Sequence, residues 1–372
     1  MSQKIGILTA GGDSPGLNAA IRALGKSLLP RGYKLIGFMG GFEGLAHDIT
    51  RELGEKDFSG ILTIGGTIIH TSRHKPNKMP FNGKVKDMTA DCVATYKKHN
   101  LHCLICIGGG GTHKNAHLLA ESGLNIITLP KTIDDDLAKT DSSIGFDSAL
   151  EIATDAIDAL HSTAGSHKRI MLVEIMGHRA GWLALCSGVA GGADVILIPE
   201  IPYNLASVAK TVENRVLAGK PFSIIAVAEG AMSVDAAAEV AKLSSEREKC
   251  GSKKERAKIK ERIDELTELH HDKAFEMAAE LERLTGIETK VTVLGYLQRG
   301  GKPSSVDRIC ATRLGCAAAE CVAKSQFGVM VALRGGATEL VPLAEVVGIR
   351  KEVPPDCRLI ADARTIGIGF GD

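Results

Sequence analysis

Short apolar runs alternate along the chain with segments whose apolar residues recur at helical spacing. The runs that predict strands are 4–9, 33–39, 101–107, 125–129, 170–175, 195–198, 224–228 and 291–294. The segments that predict helices are 19–29, 147–160, 206–217 and 306–323. Near-continuous apolar strands that alternate with helices are typical of a mainly parallel sheet with helices on both faces. Because 372 residues exceed the size at which one hydrophobic core usually stops growing, we expect an α/β fold of two doubly wound lobes.

The segment 233–285 departs from this pattern. Within it, residues 253–265 are almost all charged or helix-favouring, and Glu and Lys recur at helical offsets. Such pairs stabilise exposed helices. We therefore expect residues 233–285 to form a charged helical insertion within the second lobe. Two interpretations stay open: a solvated insertion without chemistry, and a segment with a contact or regulatory role.

Composition narrows the functional classes. The formal net charge is +1, so no charge excess indicates a nucleic acid or a membrane surface as a partner. No apolar stretch approaches the roughly eighteen residues of a membrane-spanning helix, and the N-terminus lacks a signal-peptide pattern. The nine scattered cysteines are typical of reduced thiols in a cytoplasm. Cys103 and Cys106 lie three positions apart in one predicted strand, so we expect buried side chains on opposite faces and not a redox or zinc pair.

Two glycine-rich segments follow predicted strands and precede helices. The first glycine loop is GGDSPG at residues 11–16, and the second is GGGGT at residues 108–112. Glycines let a backbone approach an anion closely, and a helix N-terminus adds free N–H groups and a positive dipole end. Neither loop has the spacing of the standard dinucleotide or Walker fingerprints. By itself the first could be a structural turn or a dinucleotide site, whereas the second favours contact with phosphate or ribose.

A carboxylate cluster follows the predicted strand 125–129. The acidic segment, PKTIDDD at residues 130–136, places Asp134, Asp135 and Asp136 side by side, where their charges repel. One such carboxylate can accept the proton of an attacking hydroxyl, and another can hold Mg²⁺ on a polyphosphate. The alternative is a solvated acidic turn that caps a helix.

Further polar groups lie near strand ends or glycine turns, where open α/β sheets bind ligands. These groups are EIMGHRAG at residues 174–181, Glu229, and the cations Arg73, Arg169, Lys290, Arg299 and Arg308. Arginine matches phosphate oxygens with two parallel hydrogen bonds. Together with the glycine loops and the carboxylates, they indicate phosphoryl transfer without naming a substrate.

These motifs, taken in order, resemble those of the 6-phosphofructokinase family. The matching segments are GGDSPG, GGGGT, PKTIDDD, SHKRI, EIMGHRAGW, AEGA and GYLQRGG. The resemblance implies transfer of a phosphoryl group from ATP or pyrophosphate to the 1-hydroxyl of fructose 6-phosphate, with Mg²⁺. It implies a donor-binding lobe (1–145 with 298–345) and a fructose 6-phosphate lobe (146–297 with 346–372). It also implies a homodimer or homotetramer in which Arg169 reaches a neighbouring subunit's site.

The resemblance assigns roles by position. Asp134 corresponds to the general base, Thr132 helps to hold the transferring phosphoryl group, and Asp136 helps to place the sugar. The predicted catalytic group is Asp134, Thr132, Asp136 and Lys131. The predicted donor-binding group is Gly12, Arg73, Gly108, Gly109, Gly110, Gly111 and Thr112. The predicted sugar-binding group is Arg169, Met176, Gly177, His178, Glu229, Lys290, Tyr296 and Arg299. The predicted metal ligands are Asp13 and Asp136.

The sequence departs from the family pattern at several positions. Gly110 replaces an Asp associated with Mg²⁺, so metal binding would depend on Asp13, the acidic segment or water. Asp135 stands where Asn is usual, and His178 stands where Arg is common. An Arg and a His that usually hold the 6-phosphate are here a lysine and a tyrosine, at Lys290 and Tyr296.

The identity of the donor depends on two positions. Gly111 stands where pyrophosphate users carry an Asp that would repel the α-phosphate of a nucleotide. Lys131 is the residue of pyrophosphate users, although some ATP users combine it with the glycine. The combination favours ATP. The alternatives are a pyrophosphate-dependent enzyme, a sugar-phosphate or nucleotide sensor suggested by Gly110 and His178, and a dehydrogenase, for which the dinucleotide fingerprint is missing.

Overall fold

The computed structural model describes residues 3–267 and 273–372. Its strands are β1 Lys4–Ala10, β2 Lys34–Phe38, β3 Thr50–Leu53, β4 Met79–Phe81, β5 Lys84–Lys86, β6 Leu101–Gly108, β7 Ile126–Pro130, β8 Ile170–Ile175, β9 Val195–Leu197, β10 Ser223–Ala228, β11 Thr289–Val293, β12 Val329–Arg334 and β13 Ala337–Pro342. Its helices are α1 Leu17–Leu28, α2 Phe42–Ala46, α3 Thr89–Lys98, α4 Gly110–Glu121, α5 Phe146–His167, α6 Trp182–Ala190, α7 Leu205–Leu217, α8 Val234–Lys249, α9 Lys253–Leu266, α10 Lys273–Thr285, α11 Ser305–Ala323 and α12 Arg358–Thr365. In this described part of the chain, no helix has both the length and the apolar character needed to cross a membrane.

The first of two compact units contains the described residues up to Ala149 together with Arg299–Lys351. Its sheet has the strand order β13-β12-β7-β6-β1-β2-β3. The central pairs are parallel, whereas β3 and β13 pair antiparallel at the two edges. A separate antiparallel hairpin joins β4 and β5. The long apolar strands form the middle of the sheet because only there are both faces covered.

Alternate residues of each central strand enter separate cores on the two faces of this sheet. Ile5 and Cys103 belong to the core beneath α1 and α11, and Leu8 and Cys106 belong to the core on the other face. The two cysteines therefore point to opposite faces, as the strand period predicts. Burial raises the pKa of both thiols above its ordinary value, so they remain protonated.

The second unit contains the described residues of Leu150–Gln298 together with Glu352–Asp372. Its sheet has the order β11-β8-β10-β9, and all of its pairs are parallel. Helices α6 and α10 pack on this sheet, and α7 packs on α10. Gly369 near the chain end bridges to Val195 of β9. The mainly parallel sheets with covering helices confirm the predicted α/β class.

The segment 233–285 divides into two parts in the structure. Helices α8 and α9 pack on each other as an antiparallel pair, hereafter the α8–α9 hairpin, and α8 has no buried residue. Helix α10 instead buries Ala274, Met277, Ala278 and Leu281, and it contacts β11 and α7. The exposed, charge-rich part is thus the hairpin, whereas α10 belongs to the core of the second unit.

Candidate active site

Three of the predicted motifs leave the same edge of the first sheet. Strands β1, β6 and β7 are parallel neighbours, with Ala10 paired to Gly108 and Gly108 paired to Pro130. The first glycine loop, the second glycine loop and the acidic segment follow these strands. Since the carboxyl ends of parallel strands meet at one edge, the sheet itself brings the three motifs together.

The first glycine loop contacts two distant cationic segments. The guanidinium group of Arg299 occupies the place where a Cβ atom on Gly12 would lie, so a side chain at this position would displace the arginine. The N–H of Gly11 donates to the carbonyl of Ser72 at 2.9 Å, and Thr71 Oγ1 donates to the carbonyl of Gly11 at 2.8 Å. The exposed Arg73 follows directly in that segment.

The second glycine loop begins α4 and is tied to the first strand. Thr112 Oγ1 donates to the carbonyl of Ala10 at 3.1 Å. Gly110 and Gly111 are exposed in the first turn of α4, where N–H groups and the helix dipole favour an anion. A Cβ atom added at Gly111 would meet nothing within 4 Å, so the loop is open at this position.

Lys131 connects the acidic segment to both glycine loops. Its backbone N–H donates to the carbonyl of Gly108 at 3.0 Å, and its ammonium group donates to the carbonyl of Gly12. The pKa of Lys131 is lowered to about 8, mainly by burial and also by the positive charges of Arg299 and Arg73, while the carboxylates of Asp134 and Asp13 act in the opposite direction. These interactions bring predicted donor-binding, catalytic and metal-binding residues into one electrostatic environment.

The three adjacent carboxylates do not share one environment. Asp134 and Asp136 are partly exposed, whereas the side chain of Asp135 is buried. Asp135 accepts hydrogen bonds from the N–H of Ser143 at 3.0 Å and from Lys351 Nζ at 2.5 Å. Burial raises the pKa of Asp135 to about 6 and outweighs the opposing effects of Lys351 and Ser143. Asp135 therefore anchors the acidic segment, and the repulsion expected among three solvated carboxylates is relieved.

Thr132 is buried, and its hydroxyl oxygen accepts the N–H of Asp134 at 3.1 Å. This bond fixes the backbone that carries the Asp134 carboxylate. Across residues 3–267 and 273–372, no cluster of three histidine, cysteine or carboxylate side chains could enclose a metal ion. The partly exposed carboxylates fit Mg²⁺ that is held mainly by phosphate oxygens and water, because Mg²⁺ commonly uses only one or two protein carboxylates.

In the second unit, Glu229 organises the loop that follows β8. This loop, residues 176–181, is called the Met-Gly loop below. Glu229 Oε1 accepts the N–H groups of Gly177 at 3.2 Å and His178 at 2.7 Å. Gly177 has φ +147° and His178 has φ +53°. A turn with such backbone angles persists only where neighbouring groups fix it. Strands β8 and β10 are neighbours, which explains why Glu229 reaches the loop.

Two further side chains hold the Met-Gly loop, and sequence reasoning did not select either. Gln298 is fully buried, and its Oε1 accepts the N–H of Met176 at 2.9 Å. Glu200 Oε1 accepts the N–H of Gly181 at 2.9 Å and that of Val353 at 2.9 Å. Their partners lie 19, 122 and 153 residues away in the sequence, so no local pattern identifies them.

The predicted phosphate-binding cations of the second unit are paired with a carboxylate. Glu288 lies 2.5 Å from Arg169 Nε and 2.8 Å from Lys290 Nζ, and these two hydrogen bonds lower the pKa of Glu288. Tyr296 is 73% exposed. The remaining predicted sugar ligand, Arg299, belongs to the first unit.

Comparison with known proteins agrees with these features. The family model for phosphofructokinase matches residues 4–322. The chain is 53% identical over 373 residues to the ATP-dependent 6-phosphofructokinase of Propionibacterium freudenreichii subsp. shermanii, and the match covers 100% of both chains. It is 50% identical over 378 residues to the protein of the same name from Spirochaeta thermophila, covering 100% of this chain and 98% of that one.

Solved structures give the same result for the fold. The chain is similar to the Pichia pastoris phosphofructokinase in the T-state, with a TM-score of 0.78 and 29% identity; the match covers 99% of this chain but only 37% of that chain. It also resembles a pyrophosphate-dependent phosphofructokinase from Nitrosospira multiformis, with a TM-score of 0.79 over 100% of this chain and 93% of that one. At 18% identity the second likeness supports the fold alone. The resemblance predicted from the motifs is confirmed, and the chain belongs to the phosphofructokinase family.

Proposed function

We propose that this chain is an ATP-dependent 6-phosphofructokinase. It transfers a phosphoryl group from ATP to the 1-hydroxyl of fructose 6-phosphate and forms fructose 1,6-bisphosphate. The observation that carries the proposal is Lys131, whose ammonium group joins the first glycine loop while its charge interacts with Asp134 and Asp13. Relatives at 53% and 50% identity carry the name of this activity.

In this proposal the first unit binds the phosphoryl donor. The N–H groups of Gly12 and of the second glycine loop, residues 108–112, bind phosphate oxygens. Lys131 and Arg73 balance the negative charge that builds up around the transferring group, which is usually the largest contribution to such catalysis. The open space at Gly111 leaves room for a nucleotide and favours ATP over pyrophosphate.

Asp134 is the proposed general base. It is partly exposed, and its backbone is fixed through Thr132, so the carboxylate is positioned to take the proton from the 1-hydroxyl of the sugar. Thr132 holds the transferring phosphoryl group, and Asp136 places the reacting end of the sugar. Mg²⁺ would be held by Asp13 and Asp136 together with phosphate oxygens and would neutralise the donor's charge.

The second unit supplies all of the proposed sugar-binding groups except Arg299. Glu229, Met176, Gly177 and His178 line the site for the sugar hydroxyls. The 6-phosphate is held by the four side chains Arg169, Lys290, Tyr296 and Arg299. The lobe assignment is 1–145 with 298–345 for the donor and 146–297 with 346–372 for fructose 6-phosphate. We propose a cytoplasmic homodimer or homotetramer in which Arg169 serves a neighbouring subunit.

A coupled assay on the purified protein tests this proposal. ATP and pyrophosphate are compared side by side as donors with fructose 6-phosphate, each with Mg²⁺ and with excess chelator. We expect turnover with Mg²⁺ and ATP, weaker turnover with pyrophosphate and none with chelator. Asp134→Asn should abolish turnover while ligand binding persists. A wild-type protein that binds both ligands without turnover would instead be a sensor.

A further inference from the structure

The α8–α9 hairpin is tied to the Met-Gly loop by a specific hydrogen bond. Arg179 Nη2 donates to Thr267 Oγ1 at 2.8 Å, and the same nitrogen lies 3.9 Å from Asp264 Oδ1. Thr267 Oγ1 in turn donates to the carbonyl of Ile263 at 2.8 Å, so its hydrogen is used and its lone pairs face Arg179. Thr267 is the C-cap of α9, where a positive charge is favoured by the helix dipole.

This bond holds Arg179, which lies between loop positions whose N–H groups are bound by other side chains. Gln298, Glu229 and Glu200 accept N–H groups of residues 176, 177, 178 and 181. Arg179 follows directly on His178, which has φ +53°. Because such a turn persists only where its surroundings determine it, holding the Arg179 side chain also limits the conformations of His178.

The helix that follows the hairpin makes a second connection. Lys273 Nζ, at the start of α10, donates to the carbonyl of Ala231 at 2.6 Å. Ala231 lies two residues after Glu229, the carboxylate that orders the Met-Gly loop. The segment 233–285 therefore contacts both loops of the candidate sugar site, at Arg179 and at Ala231.

The hairpin has few other specific contacts. No residue of α8 is buried, and its charged side chains mostly pair within the hairpin, as Arg262 does with Glu239 at 3.1 Å and Glu265 at 3.2 Å. Exposed pairs of this kind contribute little to stability. The hairpin has no substantial core of its own, and it forms a hydrogen bond to the Met-Gly loop. Its presence is therefore better explained by a role at that loop than by a contribution to the stability of the fold.

We propose that the α8–α9 hairpin positions the Met-Gly loop for sugar-phosphate binding, with Arg179 and Thr267 as positioning residues. This inference rests on the proposed function. It selects the second of the two interpretations of the charged insertion, a segment with a contact role. The hairpin then sets the affinity for fructose 6-phosphate, whereas the donor site of the first unit and the chemical step are unaffected.

Thr267→Val removes the acceptor with little change of shape, and Thr267→Ser keeps it. We expect Thr267→Val and Arg179→Ala each to raise the KM for fructose 6-phosphate about fivefold, with kcat and the KM for ATP within about twofold of wild type. The double variant should be no worse than Arg179→Ala, because both changes break one bond. Thr267→Ser should behave as wild type. Arg262→Ala, which breaks only pairs inside the hairpin, is the matched control.

Amide hydrogen exchange of residues 176–181 without any ligand gives a second readout. We expect faster exchange in Thr267→Val than in wild type, Thr267→Ser or Arg262→Ala. If the wild type does not use fructose 6-phosphate, the proposed function fails while this readout still tests the hairpin. The inference is overturned if Thr267→Val matches wild type in both readouts, if only Arg179→Ala raises KM, or if Arg262→Ala has the same effect as Thr267→Val.

Discussion

The ammonium group of Lys131 donates a hydrogen bond to the carbonyl oxygen of Gly12 and so joins the acidic segment to the first glycine loop. This bond satisfies one of the three N–H donors of the ammonium group. The same group experiences the charges of Asp134, Asp13, Arg73 and Arg299. We interpret Lys131 as the residue around which the donor site is assembled.

The depressed pKa of Lys131 predicts a pH dependence. Burial favours the neutral amine, so the lysine carries its charge below its pKa of about 8 and loses it above. Only the charged form attracts phosphate. We expect kcat/KM for ATP in the free enzyme to fall as the pH rises through about 8.

The variant Lys131→Met tests whether Lys131 causes this decline of kcat/KM at high pH. It should lower kcat/KM for ATP by about a hundredfold or more and remove the decline at high pH. A variant that keeps the same high-pH limb would show that another group titrates.

Gly111→Asp tests the choice of donor. The added side chain has open space and sits in the first turn of α4, where a carboxylate is compatible with the helix dipole, so folding should be unaffected. Its charge would repel the α-phosphate of a nucleotide. We expect kcat/KM for ATP to fall about a hundredfold and that for pyrophosphate to fall much less. Gly111→Asn, a neutral side chain of equal size, should retain most ATP activity; equal losses in both variants would indicate a steric effect.

Lys351→Met tests the buried partner of Asp135. The raised pKa of Asp135 means that the fold favours its neutral form, and stability is lost as the pH rises through about 6. Removing Lys351 leaves a buried, unpaired carboxylate above that pH. We expect Lys351→Met to lower the free energy of unfolding by about 3 kcal/mol near pH 8, and by clearly less near pH 5.

Urea unfolding at the two pH values measures this difference. Addition of Asp135→Asn to Lys351→Met should recover much of the loss near pH 8, because the charge is removed. A loss that is independent of pH would mean that Lys351 acts through packing.

Glu288→Gln tests whether an internal carboxylate competes with the sugar phosphate. Glu288 pairs with both Arg169 and Lys290, which the proposed function assigns to the 6-phosphate. Because all three groups are partly exposed, we expect the KM for fructose 6-phosphate to decrease by only about two- to threefold. Glu280→Gln is the matched control, since Glu280 pairs with Arg283 on α10. An increase in KM would show that Glu288 orients the cations.

The strands, the glycine loops and their common edge were predictable from the sequence. Apolar runs locate β1, β6 and β7, and parallel neighbours direct the following loops to one side. The family resemblance then supplied the roles of individual residues. The predicted strands do not include β3, β4, β5, β12 and β13. β3 and β13 are mostly exposed edge strands without a continuous apolar run. β12 is an interior strand with buried residues, and its short apolar run was overlooked.

The partners of the site residues were less predictable. Asp135 is a member of the acidic triplet, yet its side chain is bound by Lys351, which lies 216 residues further along the chain. Gln298 lies within the GYLQRGG motif, but its bond to Met176 spans 122 residues. The charge pattern predicts α10 as part of the charged insertion, because its charged residues conceal a buried face of Ala274, Met277, Ala278 and Leu281. Such pairings arise from the tertiary fold and leave no periodic signal in the sequence.

The central claim is that the two glycine loops and the acidic segment bind a single polyphosphate. A crystal structure with Mg²⁺ and a non-hydrolysable ATP analogue tests it most directly. We expect the phosphates against the N–H groups of Gly12 and Gly109–Gly111, with Lys131 beside them and the Asp134 carboxylate facing the terminal phosphate. A nucleotide bound elsewhere, or Asp134 directed away from the terminal phosphate into solvent, would contradict the claim.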